Sequence, residues 1–369
     1  MLKAGIIGLP NVGKSTLFNA VTRSHKAPAE NYPFCTIEPN LGVVSVPDPR
    51  LAELARVVKV GAQIPTAFEF VDIAGLVKGA SKGEGLGNKF LSHIREVDAL
   101  IQVVRCFEDP DIVHVAGETD PVRDIGIVAT ELVLADLETV KKRLEKISRD
   151  VKRSDKHALL EAHLLDKIGA HLNEGKPANT LVIPLSPEEK LMIRGFFLLT
   201  DKPIIFVANV KEGDLAAAET HPQFVKVREY ALAHHACETV VVSAQLESDV
   251  GDLSPEESQG YLKELGVGES GTVTLIRSTY HLLGLRTFFT FNDKEVRAWT
   301  IRAGETAVKA AGTIHTDFER GFIKAETVNW EVLVKEGSVG HARESGHYRI
   351  EGRDYVVRDG DVLLFRFNV

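Results

Sequence analysis

The chain reads Gly8-Leu9-Pro10-Asn11-Val12-Gly13-Lys14-Ser15 directly after a short apolar run that is typical of a β-strand. This stretch fits the pattern G-x-x-x-x-G-K-[S/T], in which backbone N–H groups cradle phosphates, the lysine reaches the β- and γ-phosphates and the serine suits Mg²⁺. The next residues, from Ser15 to Val21, predict a helix whose N-terminal dipole favours an anion. A chance match in an ordinary glycine turn is the alternative, and the order of strand, loop and helix argues against it. The sequence therefore predicts a phosphate-binding loop in an α/β domain.

The composition is that of a globular protein, since 44% of the 369 residues are hydrophobic and 26% are charged. No stretch resembles a secretion signal or a membrane span, so we expect a cytoplasmic protein with no membrane partner. The three cysteines, Cys35, Cys106 and Cys237, are widely spaced and match no metal-ligand pattern. The net charge of -8 argues against a general attraction to nucleic acid but permits a local basic patch.

The order of strand and helix signals predicts three domains. Predicted strands at 3–7, 41–46, 67–72, 99–104, 203–208 and 239–242 indicate a doubly wound α/β sheet over residues 1–120 and 200–284. Apolar residues from Val133 to Val151 recur at alternating spacings of four and three, which predicts a long helix. A return helix before Gly175 would complete an antiparallel helical hairpin, inserted as residues 121–199. Residues 285–369 read as a small β-rich domain with few helices and with strands at 287–291, 296–301, 328–334 and 362–367.

Two further segments fit a nucleotide site with Mg²⁺. Asp72 ends an apolar strand and begins the pattern D-x-x-G, whose glycine, Gly75, can place its N–H against the γ-phosphate. Thr36 lies between this pattern and the phosphate-binding loop, where a mobile-loop threonine can complete the metal shell. The predicted metal ligands are therefore Ser15, Thr36 and Asp72.

The segment Asn209-Val210-Lys211-Glu212 stands where a guanine-reading N-K-x-D motif is expected. Val210 replaces the lysine that flanks the base, and the longer Glu212 displaces the acceptor, so guanine selection should weaken and adenine could be accepted. Ser243 and Ala244 follow the next strand, where a loop usually closes over the base. The predicted nucleotide contacts are Asn11, Val12, Gly13, Lys14, Ser15, Thr16, Asn209, Val210, Glu212, Ser243 and Ala244.

The position after Gly75, where glutamine often orients the attacking water, holds Leu76, which cannot do so. His114 is the candidate replacement, and a surface-loop histidine is an equally good interpretation of it. Asn11 offers another possibility, because a loop asparagine could hold a K⁺ ion against the phosphates. Lys14, Gly75 and His114 are the candidate catalytic residues.

Together the residue 8–16 loop, the Asp72–Leu76 segment and the Asn209/Glu212 pair resemble the YchF/Obg-like ATPase family over essentially the whole chain. The segments 104–109 and 130–132 are further matching stretches. The resemblance implies a P-loop NTPase G domain, a coiled-coil insertion and a C-terminal TGS domain of ubiquitin-like fold. It also implies Mg²⁺-dependent hydrolysis with ATP preferred over GTP, a hydrophobic residue at Leu76, a role for His114, and association with ribosomes.

Residues 140–157 carry eight basic side chains and only three acidic ones. These residues could simply form a solvated helix face, or they could form a surface that binds RNA phosphates. The resemblance to ribosome-associated proteins favours the second interpretation. We therefore expect a nucleotide-controlled ATPase switch that binds the ribosome and its RNA. The alternatives are a guanine-specific GTPase of the Obg class and an ATP-dependent small-molecule kinase. The sequence does not determine the oligomeric state, for which a monomer is the default expectation.

Overall fold

The computed structural model describes residues 1–27, 40–73, 75, 86–112, 118–235 and 237–368. The described residues divide into two compact units. The first unit contains Met1–Ser24, residues 40–42 and the described part of Glu69–Thr279. The second contains residues 25–27, Val43–Phe68 and residues 280–368. Among the described residues, no helix combines the length and the apolar composition needed to cross a bilayer.

The first sheet is the predicted doubly wound sheet. Among the described residues it contains β1 (Lys3–Ile7), β2 (Leu41–Ser45), β4 (Ala67–Asp72), β5 (Ala99–Arg105), β6 (Ile204–Asn209) and β7 (Thr239–Val242). The strand order is β2-β4-β1-β5-β6-β7, and β1 pairs in parallel with β4 and β5, as β6 does with β5 and β7. The strands predicted in this region are confirmed to within a residue at each end. Their near-continuous apolar runs are typical of parallel strands covered on both faces.

Helices of the first unit connect and cover these strands. They are α1 (Lys14–Ser24), α3 (Leu86–Glu96), α4 (Pro121–Lys152), α5 (Lys156–Asn173), α6 (Pro187–Arg194), α7 (Pro222–His235), α8 (Ala244–Val250), α9 (Pro255–Glu264) and most of α10 (Gly271–Leu282), with 3-10 helices at Ala178–Thr180 and Glu212–Thr220. Since the carboxyl ends of parallel strands share one edge of the sheet, the segments after β1, β4, β5, β6 and β7 meet there.

Helices α4 and α5 form the predicted hairpin. Asp155 caps the start of α5, because its side chain accepts a hydrogen bond from the backbone N–H of Ala158 at 2.8 Å. Val133 and Val140 on α4 are buried with Ile168 and Leu172 on α5. The apolar positions spaced four and three apart therefore form the seam between the two helices, as the sequence predicts.

The second sheet contains β3 (Ala62–Ile64), β8 (Leu285–Phe291), β9 (Glu295–Arg302), β10 (Phe322–Asn329), β11 (Arg349–Glu351) and β12 (Asp361–Phe367) among the described residues. Their order is β11-β10-β12-β8-β9-β3. The unit also contains α2 (Arg50–Val58), α11 (Ala307–Ile314), α12 (Thr316–Arg320), α13 (Trp330–Glu336) and α14 (Val339–Glu344). It is richer in helix than the sequence predicts.

The predicted strand at 328–334 is wrong, because most of this apolar run is helix α13. The side chain of Asn329 accepts a hydrogen bond from the N–H of Glu331 at 2.9 Å and caps the helix, which ends at Gly337 with a φ of 71°. Leu333 is fully buried. A short apolar run cannot by itself distinguish a buried strand from a buried helix face.

Helix α2 lies in the second unit, although it precedes that unit's main part by more than two hundred residues. Leu51 and Leu54 are buried in a cluster with Phe289 and Val296 of the sheet. Arg50 forms ion pairs with Asp48 and Asp359, each at 2.7 Å. The unit thus combines three separate stretches of the chain, whereas the sequence predicts a domain that starts at residue 285.

Replacing Leu54 with alanine should lower the free energy of unfolding by about 2–5 kcal/mol, because the side chain is only 1% exposed and its loss leaves a cavity. Denaturant titration measures this change. The control is Arg56→Ala on the same helix, whose side chain is 72% exposed and which should change stability little. Equal stability of the two variants would contradict the packing of α2 described above.

Candidate nucleotide site

The phosphate-binding loop follows β1 in a conformation that requires glycine at two positions. Gly8 has a φ of 148° and Gly13 a φ of 96°, values that residues with a side chain rarely adopt. A Cβ at Gly8 would also lie 2.5 Å from the carbonyl oxygen of Val103, and one at Gly13 would clash with the amide nitrogen of Asn209. The two glycines therefore let the loop turn tightly against the ends of β5 and β6.

Lys14 begins α1 and is buried, with only 7% of the residue exposed. Its Nζ donates a hydrogen bond to the carbonyl oxygen of Leu9 at 2.7 Å, which places the ammonium group inside the loop. Burial lowers the pKa of Lys14 to about 8, although the negative charge of Asp72 opposes this shift. A phosphate in the loop would offset the cost of burying this charge.

The lowered pKa of Lys14 predicts that nucleotide binding takes up a proton. Below a pH of about 8 the lysine is already charged, whereas above it binding must recharge the side chain, so ATP affinity should fall by about tenfold per pH unit. Calorimetry in buffers of different ionisation enthalpy should show proton uptake approaching one at pH 9. The Lys14→Arg variant keeps its charge at this pH and should show none. Identical uptake at pH 7 and pH 9 in the parent would contradict the prediction.

Ser15 and Asp72 form a site that fits Mg²⁺. The Ser15 Oγ donates to Asp72 Oδ2 at 2.8 Å, while Asp72 Oδ1 is buried and has no hydrogen-bond partner among the described residues. A hydroxyl and a carboxylate are hard oxygen ligands, and Mg²⁺ usually takes the rest of its shell from water and substrate phosphates. The described part of the chain has no group of three or more His, Cys, Asp or Glu side chains placed to hold a metal.

Asn209, at the end of β6, connects the phosphate-binding loop to the loop after β7. Its Nδ2 donates to the carbonyl oxygen of Val12 at 3.0 Å, and its Oδ1 accepts from the N–H of Ala244 at 2.9 Å. Ser243 precedes Ala244 and caps α8. The Asn209 amide therefore fixes the two loops against each other, and since an amide can donate and accept twice each, these two bonds do not exclude a contact with the base.

The other two residues of the predicted base-reading segment differ in their surroundings. Val210 is 2% exposed and packs in the core with Ala208 and Phe224. Glu212 opens a 3-10 helix, and its Oε1 accepts a hydrogen bond from the hydroxyl of Tyr261 on α9 at 2.7 Å. Of the three residues in this segment that were predicted to contact the base, Glu212 alone is charged. Its neighbour Tyr261 was not predicted from the sequence.

Gly75 lies against the phosphate-binding loop. A Cβ at this position would be 3.0 Å from Lys14 Nζ and 3.4 Å from the Cα of Pro10. The structure therefore brings together Gly75, Asp72 and the loop with Asn209 and Ala244. Three other predicted residues, Thr36, Leu76 and His114, lie outside the described residues.

Arg105, at the end of β5, is a second residue that the sequence analysis gave no role. It is 2% exposed and donates hydrogen bonds to the carbonyl oxygens of Phe107 at 3.0 Å, Ile112 at 2.9 Å and Asp109 at 3.2 Å. Its guanidinium also lies 4.7 Å from the centroid of the Phe107 ring. Arg105 thereby fixes the course of residues 107–112. A charged residue ending an otherwise apolar strand was the signal available in the sequence.

Four basic residues of the hairpin, on the last turns of α4 and at the position directly after it, form a stripe. Lys142, Lys146, Arg149 and Arg153 are exposed and follow one another at spacings of four, three and four, so they share one helix face. We call these four residues the basic stripe. Lys142 and Lys146, together with Arg95, also line a groove of about 580 Å³. Arg143 differs, because it is partly buried and donates a hydrogen bond to the carbonyl oxygen of Gly195 at 2.8 Å.

Two family models match the chain. One, described as a 50S ribosome-binding GTPase, matches residues 3–147. The other, YchF-GTPase_C, is described as a protein of unknown function and matches residues 285–368. The first match contains the phosphate-binding loop and Asp72, and the second covers most of the second unit.

Full-length relatives give a finer assignment. The ribosome-binding ATPase YchF of Bacillus subtilis (strain 168) is 52% identical over 368 residues, which cover 100% of both chains. The protein of the same name from Escherichia coli O157:H7 is 50% identical over 367 residues, covering 100% of this chain and 99% of that one. The solved structure of a Schizosaccharomyces pombe protein, described as a YchF GTPase, is 37% identical with a TM-score of 0.88 and covers 99% of this chain and 97% of its own. The chain therefore belongs to the YchF family.

Proposed function

We propose that this chain is a ribosome-binding, Mg²⁺-dependent nucleotide hydrolase that prefers ATP to GTP and acts as a switch. The observation that carries the proposal is the site at the carboxyl edge of the first sheet. There Lys14 lies inside a glycine loop, and Ser15 contacts an Asp72 carboxylate of which one oxygen has no hydrogen-bond partner in the described part of the chain. The bacterial relatives described as ribosome-binding ATPases support the choice of nucleotide and partner.

Each residue of the phosphate-binding loop has a separate proposed role in binding the nucleotide. The turn at Gly8 and Gly13 lets backbone N–H groups face the phosphates, and Lys14 supplies a positive charge for the β- and γ-phosphates. Ser15 and Asp72 would hold Mg²⁺, which when bound neutralises phosphate charge. Because Gly75 approaches Lys14 closely, we assign its backbone N–H to the γ-phosphate, whose loss on hydrolysis would then change the conformation of this segment.

Several residues have proposed roles in hydrolysis beyond this site. Since Leu76 cannot orient a water molecule, we assign that task to His114, with Thr36 as the third Mg²⁺ ligand of the chain. Asn11 has a φ of 62°, a left-handed conformation that asparagine tolerates better than most residues. We propose its side chain as the ligand of a K⁺ ion that would add positive charge at the phosphates.

The preference for ATP is proposed from the surroundings of Glu212. Guanine offers two donors, N1–H and the exocyclic amine, to a correctly placed carboxylate, and the extra methylene of glutamate moves that carboxylate. Asn209, which binds Val12 and Ala244, can still donate its second N–H to either purine, so we assign the discrimination to Glu212. A guanine-specific GTPase is the second candidate, because the Schizosaccharomyces pombe relative is described as a GTPase.

Direct titration with ATP and GTP in the presence of Mg²⁺ separates these candidates. We expect tighter binding of ATP, and we expect Glu212→Asp to shift selectivity towards GTP by about tenfold. Val210 is left unchanged, because a lysine at this buried position would have to bury its charge. The matched control is Glu219→Asp in the same 3-10 helix, where the side chain is 78% exposed. Equal affinities, or a parent that prefers GTP, would refute the proposed preference.

The ribosome contact is proposed at the basic stripe. Its side chains are well exposed, at 71% for Lys142 and 80% for Arg153. Lys142 pairs with Glu138 and Arg153 with Asp150, but exposed ion pairs contribute little energy and exchange readily for phosphate contacts. A row of cations on one helix face suits the phosphate backbone of ribosomal RNA.

A further inference from the structure

Tyr261 is a conspicuous neighbour of the proposed base site. Its hydroxyl donates a hydrogen bond of 2.7 Å to Oε1 of Glu212, the residue that takes the place of the guanine-reading aspartate. The bond raises the pKa of Tyr261, because the nearby carboxylate charge favours the protonated phenol. The phenol therefore stays a donor at physiological pH.

The packing of α9 holds Tyr261 in this position. The adjacent residue, Leu262, is 6% exposed and is buried with Leu246 and Val250 of α8. Leu215, in the 3-10 helix that Glu212 begins, packs against the same cluster. Helix α9 thus packs against α8 and against the 3-10 helix that follows β6. This buried cluster holds Tyr261 next to Glu212.

Guanine and adenine differ in the number of hydrogen-bond donors that they offer to the carboxylate of Glu212. Guanine presents two adjacent donors and binds a carboxylate best when both oxygens face it, whereas adenine presents one amino donor at the corresponding edge. A phenol bound to Oε1 occupies part of that oxygen's acceptor capacity and fixes the direction of the carboxylate. Oε1 therefore has one lone pair fewer than Oε2 to offer to a base.

We infer that Tyr261 is a specificity-determining residue that disfavours guanine by occupying one oxygen of Glu212. The inference rests on the proposed preference for ATP and names a second side chain that produces it. It assigns to α9 a part in selecting the base, whereas the segment from Asn209 to Glu212 supplies the acceptor.

The test is Tyr261→Phe, which removes the donor and keeps the ring. Titration with ATP and GTP should show GTP binding about tenfold tighter than in the parent, since a hydrogen bond to a charged group no longer competes, while ATP affinity changes by less than about twofold. In a Glu212→Gln background the same substitution should change neither affinity, because the charged acceptor is gone. Tyr230→Phe is the matched control, a tyrosine whose ring packs on Phe206 in the same unit.

The outcomes separate this inference from the proposed function. A parent that prefers ATP, together with a Tyr261→Phe variant of unchanged selectivity, would overturn the role of Tyr261 alone. Parallel weakening of both nucleotides would also overturn it, since Tyr261 would then merely hold the loop. A parent without a preference for ATP would refute the proposed preference, and with it the inference.

Discussion

Lys14→Ala is expected to abolish ATP hydrolysis and to weaken ATP binding by about 100-fold, the effect of losing a charged hydrogen bond to phosphate. The side chain is buried inside the loop, where its Nζ donates a hydrogen bond to the carbonyl oxygen of Leu9. Binding is measured by titration with Mg²⁺ and ATP, and turnover by the release of phosphate. The loss in turnover should exceed the loss in binding, because charge on the phosphates grows in the transition state.

Lys3→Ala serves as the control for this experiment. Lys3 lies on β1 of the same unit, and its side chain is 36% exposed and pairs with Glu69 at 3.5 Å. It should bind and hydrolyse ATP like the parent. A Lys14→Ala protein that keeps its fold and the parental turnover would remove the phosphate-binding loop from the mechanism.

Reversing the charges of the basic stripe, with Lys142, Lys146, Arg149 and Arg153 replaced by glutamate, should weaken ribosome association by about 100-fold or more. Each RNA phosphate that the stripe no longer neutralises keeps its counterions. The slope of log K against the logarithm of the salt concentration should therefore become less steep by about 0.7–0.9 per lost phosphate contact. Sedimentation with ribosomes at several salt concentrations measures both quantities. ATP hydrolysis without ribosomes should persist, because the stripe contains none of the residues assigned to the nucleotide site.

A second set of reversals within the same insertion controls for net charge. Lys167, Lys176, Lys190 and Arg194 are exposed and lie outside the basic stripe. Replacing these four with glutamate makes the same change in charge and should leave ribosome binding nearly intact. Should both sets weaken association equally, the stripe would have no specific role and only overall charge would matter.

Deleting residues 285–369 is a poor alternative test of ribosome docking. Within the second unit, Leu51, Leu54 and Val57 of α2 are buried against residues that this deletion removes. The truncated chain would expose an apolar helix face and invite aggregation. Surface charge variants therefore test the docking surface more cleanly than truncation does.

The first unit could be predicted largely from sequence, because its signals are local. The glycine loop, the apolar parallel strands and the spacing of Val133 to Val151 each reflect a conformation fixed within a few residues. Asp72 and Asn209 could be placed as well, since both end predicted strands and the ends of parallel strands meet at one edge. The structure brings both residues to the phosphate-binding loop.

The features that could not be predicted depend on contacts between distant parts of the chain. Nothing local to α2 indicates that Leu54 packs on Phe289. Tyr261 contacts Glu212 across forty-nine residues of sequence. Such tertiary contacts carry no periodic signal, so a single sequence does not reveal them.

The central claim, a ribosome-binding switch controlled by ATP, is tested most directly by sedimentation with ribosomes under different nucleotides. Parent and Lys14→Ala proteins would be compared with no nucleotide, with ADP, with a non-hydrolysable ATP analogue and with its GTP counterpart. We predict that the ATP analogue shifts ribosome association of the parent by several-fold relative to ADP, that the GTP analogue does so less, and that Lys14→Ala does not respond. Association that is the same under every nucleotide, or a response to the GTP analogue alone, would contradict the account.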